Sequence, residues 1–102
     1  MDVPLPKFSV ELIVRGATRN SDPEAVEDIA SELSMRPHLS NCRVSWEDGN
    51  RNEIIVYMES EGLEPNSVGD QMAEELFEVA CATLRNTDGI SIKIGKVNRL
   101  QA

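Results

Sequence analysis

Arg15, Arg19 and Asn20 stand within six positions of one another, just ahead of Asp22-Pro23-Glu24. Two guanidinium groups and an amide beside the free amides of a helix start could hold a phosphate or carboxylate. Two features work against that chemistry. Asp22 and Glu24 put negative charge on the same helix start, and the segment lacks a glycine-rich phosphate loop. The two cysteines, Cys42 and Cys81, match no metal or redox spacing, and the only histidine, His38, sits in a Pro-His loop. With one histidine there is no Ser/His/Asp or Cys/His set for nucleophilic catalysis. Acidic side chains are plentiful on the helices, where solvation explains them. The expectation is therefore a non-enzymatic chain with no catalytic residue, no metal site and no cofactor.

The elements that position these residues follow from periodicity. Phe8, Val10, Leu12 and Val14 alternate with Ser9, Glu11, Ile13 and Arg15, the pattern of a half-buried strand. Val26, Ile29, Ala30 and Leu33 recur at helical spacing. Asp22 fits as the cap of that helix with Pro23 as its first residue, and Pro37 ends it. Residues 41–47 and 53–59 alternate again around Asp48-Gly49-Asn50, which predicts an antiparallel hairpin. A long helix follows over 67–85, with one stripe through Val68, Met72, Leu76, Ala80 and Leu84. A second stripe passes through Ala73, Phe77 and Cys81. Ile90, Ile92 and Ile94 form a last strand. Residues 1–7, with Pro4 and Pro6, read as an extended arm, and 98–102 as a tail. A chain of 102 residues buries about two-thirds of its unfolded surface, enough for a single domain over 1–102.

Four strands with one apolar face each, and two helices with one apolar stripe each, pack most economically as two layers. The order strand–helix–strand–strand–helix–strand then gives a ferredoxin-like βαββαβ α+β sandwich. Its four-stranded antiparallel sheet has the fourth strand beside the first, then the third and second, with both helices on one face. The expected core is Phe8, Val10, Leu12, Val14, Val26, Ile29, Leu33, Val44, Trp46, Ile54, Val56, Met58, Leu76, Phe77, Ile90 and Ile92. Eighteen acidic and ten basic residues give a net charge of −8. Most of the acids fall on the helices, while Lys93, Lys96 and Arg99 are the only charges after Asp88.

The fold leaves the other sheet face uncovered, and the alternation puts Glu11, Ile13, Arg15, Ile55 and Tyr57 on it. A small apolar centre inside mixed charge is the layout of a protein contact. RNA-recognition domains of this fold stack bases on several aromatics of that face. Here Tyr57 stands alone among acids, so no nucleic-acid partner is expected. Heavy-metal-binding domains of this fold carry paired cysteines in the first loop, and this chain has none there. Acylphosphatases of this fold cradle phosphate with a glycine-rich first loop and an arginine; that loop pattern is absent, which leaves an enzyme of this kind, using Arg15 or Arg19, as the lesser alternative. Amino-acid-sensing ACT domains bind near the first strand–helix loop, which leaves Arg15, Arg19 and Asn20 as the alternative, a small-molecule sensor site.

Residues 17–30 and 73–85 resemble a small uncharacterised family of cyanobacterial proteins. That resemblance implies a ferredoxin-like sandwich in the cytoplasm and carries over no activity, ligand or functional residue. No apolar run is long enough to span a membrane, so no membrane partner is expected and the cytoplasm is the default location. The leading expectation is a protein-interaction or regulatory module, paired with a protein partner or with itself as a homodimer.

Overall fold

A computed structural model describes residues 5–47, 49–85 and 87–100, with the side chains of 50–52 set aside. The expected arm at 1–4, the turn residue Asp48 and the tail end at 101–102 lie outside the described residues. Six elements follow in order: β1 Lys7–Arg15, α1 Ala25–Ser34, β2 Ser40–Glu47, β3 Asn50–Glu61, α2 Pro65–Thr83 and β4 Ser91–Leu100. The strands form one antiparallel sheet in the order β2-β3-β1-β4. This is the ferredoxin-like α+β arrangement.

The strict alternation of β1 explains its central place. Phe8, Val10, Leu12 and Val14 are buried under the helices, while Glu11 and Ile13 are half-exposed on the opposite face. Ile54, Val56 and Met58 of β3 continue the inner surface beside them. Ile29 and Leu33 of α1 close it from above, with Val68, Met72, Leu76, Val79 and Ala80 of α2. Val26, Val44, Trp46, Ile90 and Ile92 pack at its margin.

Phe77 and Cys81 depart from the expected core, for both are exposed, Phe77 at 44%. Each member of the row Ala73–Phe77–Cys81 sits about 100° around the helix from its neighbour in the buried row Met72–Leu76–Ala80, whereas Val79 lies only about 60° from Leu76 on the other side. The row Ala73–Phe77–Cys81 therefore leaves the buried face, and Val79 takes the place Phe77 was expected to fill.

The start of α1 also differs. Asp22 and Pro23 precede the helix, whose first residue is Ala25, and no side chain caps it. Asp22 is 2% exposed and its Oδ2 accepts the Arg85 backbone N–H at 2.8 Å. That N–H lies just past the end of α2, where the chain has turned extended at Leu84. The carboxylate thus ties the loop after β1 to the loop after α2. Gly16 reinforces the same junction. Its φ is +102°, and a Cβ there would lie 2.5 Å from the Gly89 carbonyl oxygen.

The last strand is longer than its alternation suggests. Residues 98–100, expected in a tail, belong to β4. A bulge between the partners of Glu11 and Leu12 adds one residue at Gly95. Past it the parity reverses, so Val97 pairs with Val10 and lies against Gly69 of α2. Lys7 likewise belongs to β1 rather than to the arm.

Candidate functional site

The helices pack on one face of the sheet, and no element among the described residues covers the other. Cross-strand register arranges the bare face in rows. Arg15 lies beside Glu53, Ile13 beside Ile55, Glu11 beside Tyr57, Ser9 beside Glu59 and Lys7 beside Glu61. On the flanks, β4 adds Lys93 next to Ile13 and Lys96 next to Glu11, and β2 adds Arg43 next to Tyr57. Of the residues expected here, the register brings Glu11, Ile13, Arg15, Ile55 and Tyr57 together on one surface.

Glu59 organises the polar part of that surface. Its Oε2 accepts the Tyr57 hydroxyl at 2.6 Å, and its Oε1 accepts the Asn41 amide at 2.8 Å with Lys7 Nζ at 3.6 Å. These donors hold its carboxyl below the usual carboxylate range, the Tyr57 hydroxyl most strongly. The same bond raises the Tyr57 phenol above its ordinary value, with burial adding to the shift. Arg43 covers the Tyr57 ring, its guanidinium carbon 4.5 Å from the centroid. Asn41 reaches Glu59 because β2 slips register between Ser40 and Arg43, and Asn41 takes a left-handed φ of 52° there. Sequence spacing did not reveal this network. Its members come from three strands, and only the isolated Asn-Cys at a strand start hinted at irregular backbone.

The alternative sensor residues are placed differently. Arg15 donates from Nε to Glu53 Oε2 at 2.6 Å. Arg19 and Asn20 are exposed in the loop after β1, where Thr18 and Ser21 hydrogen-bond each other. The Asp22 carboxylate beneath them is committed to Arg85. His38 is bound to Glu75 Oε2 at 2.8 Å, and Arg36 to the other oxygen of that carboxylate at 2.8 Å. Cys42 lies on the inner side of β2, where burial and then the Glu75 and Glu59 carboxylates push its thiol upward. A shallow cleft of about 440 Å³ opens at one end of the sheet between Leu5, Lys7, His38 and Glu61. Among the described residues no three His, Cys, Asp or Glu side chains converge as a metal ion would require. No described helix is long and apolar enough to cross a membrane.

A scan against protein-family models matches no family, and searches of curated proteins and of solved structures find no significant match. The resemblance carried by residues 17–30 and 73–85 therefore stands on those residues alone and adds nothing on function.

Proposed function

We propose that the chain is a non-enzymatic interaction module that binds a protein through its bare sheet face. The observation that supports this most is the Ile13–Ile55 pair, side by side on the two central strands with no helix above it. Charged and polar side chains surround the pair: Arg15 and Glu53 on one side, Glu11 and Tyr57 on the other, Lys93 and Ser45 at the flanks. Burying such a centre inside a polar rim is how a modest surface gains affinity. The neighbouring network is already hydrogen-bonded within the chain, so its polar groups are ordered before any partner arrives.

The test compares wild type with Ile55→Glu, both verified as folded by circular dichroism. Each is tagged and offered untagged chain and cell extract. Ile55→Glu is expected to lose what wild type retains, while Glu27→Lys, on the exposed side of α1, keeps it. Equal retention by wild type and Ile55→Glu would sink the proposed surface.

A further inference from the structure

The bare face is not uniformly charged. Its β1–β4 half carries Lys7, Arg15, Lys93 and Lys96 against Glu11. Its β3–β2 half carries Glu53, Glu59 and Glu61 against Arg43 among the described side chains. The boundary runs between the two central strands, and the Ile13–Ile55 pair straddles it.

From this we infer that the partner of the face is a second copy of the chain, stacked sheet on sheet about a two-fold axis parallel to β1 and β3 and lying between them. The inference rests on the reading of the bare face as a contact surface and names its occupant. Such an axis exchanges the two halves, so each basic half covers the partner's acidic half. It carries β1 of one copy over β3 of the other in the register already set within the sheet. Ile13 then meets the partner's Ile55, Lys7 meets the partner's Glu61, and Arg15 meets the partner's Glu53. Each contact occurs twice. The one like-charged approach, Lys96 toward the partner's Arg43, falls on the outermost strands, where water screens it. Arg43 is also drawn back over its own Tyr57 ring.

The area is sufficient. Four strands about 4.8 Å apart and roughly 30 Å long cover about 580 Å² per copy, so the pair buries about 1,150 Å², above the floor of about 1,000 Å² for a specific contact. An edge-to-edge pairing of β4 is a poorer solution. It would set Lys93, Lys96 and Arg99 of two copies against each other beside the Gly95 bulge.

The experiment is a charge exchange followed by sedimentation equilibrium. Wild type is expected to dimerise. Lys7→Glu and Glu61→Lys should each weaken the dimer by about thirtyfold, because each reversal counts twice across the axis. An equimolar mixture of the two variants should recover dimers. Inside each variant chain residues 7 and 61 still bear like charges, so only contact between copies can produce that recovery. Both variants are checked for native circular dichroism, and Ile13→Ser supplies a neutral second disruption. A wild-type chain that stays monomeric at millimolar concentration overturns the self-pairing but leaves the wider reading of the face to the bait comparison. Dimers that Ile55→Glu leaves intact, or variants that fail to recover on mixing, overturn the stacked arrangement.

Discussion

Tyr57 and Glu59 share one short hydrogen bond, and its energy is legible as two opposite shifts. The phenol is raised, so its contribution to stability is complete below pH about 10 and is lost as pH rises through the raised value. The carboxyl is lowered, so its contribution is present above the ordinary carboxylate range and is lost as pH falls through the depressed value. Because Tyr57 is the only tyrosine, absorbance near the tyrosinate band follows it directly. Its titration midpoint is expected above that of free tyrosine, and Glu59→Gln should bring it back down. An unshifted midpoint in wild type would show that the bond is absent in solution. None of this was legible in the sequence. Tyr57 and Glu59 were visible as neighbours on one strand face, but Asn41 reaches them only because β2 slips register, and no local pattern encodes that slip. The alternation of β1, by contrast, was readable, because every other residue there meets the helices; only Ser9, buried on the opposite face, breaks the burial pattern.

At the scale of elements, the joints decide more than the elements themselves. Asp22 has the type and position of a helix cap, and a sequence reader assigns it so. The structure gives its carboxylate to Arg85, 63 residues away, a partner that only the folded chain brings near. Asp22→Ala removes the acceptor of the part-buried Arg85 N–H and is expected to lower stability by about 1 kcal/mol. Asp22→Asn keeps an acceptor and should cost much less. Denaturant unfolding of the two variants checks the joint: equal losses in both would mean that stability does not depend on an acceptor for the Arg85 N–H. The bulge at Gly95 belongs to the same lesson. A glycine inside an alternating run is a recognised sign of a bulge, and reading it so would have extended β4 across residues 96–100. Phe77 misled for a different reason. Its hydrophobicity outweighed its angular position, and the helix geometry favours Val79.

Across the whole molecule, charge is unevenly laid out. The helical layer is acidic and the β4 edge basic, within extents of 51 × 24 × 20 Å. At an ionic strength of about 0.01 M the screening length is about 30 Å, so the acids of α1 and α2 repel one another across the layer. Raising the salt to about 0.3 M should therefore raise the Tm of the dilute chain, followed by circular dichroism below the concentration at which copies pair. The ion pairs Arg15–Glu53, Lys7–Glu59 and Arg36–Glu75 weaken at the same time, but they are few among the described residues and partly exposed. A fall in Tm would mean that those pairs, and not the repulsion, dominate. The net charge and its segregation were readable from composition. The division of the bare face into a basic and an acidic half was not, since it depends on which strands the sheet places side by side.

The two sides of the sheet also differ optically. The single tryptophan, Trp46, packs at the margin of the core, and the single tyrosine, Tyr57, lies on the bare face. Each side of the sheet thus has its own chromophore. Tryptophan emission follows the loosening of the interior, while the near-ultraviolet band of the tyrosine follows what settles on the opposite surface. Association and unfolding can be watched separately in the unlabelled, unmutated chain.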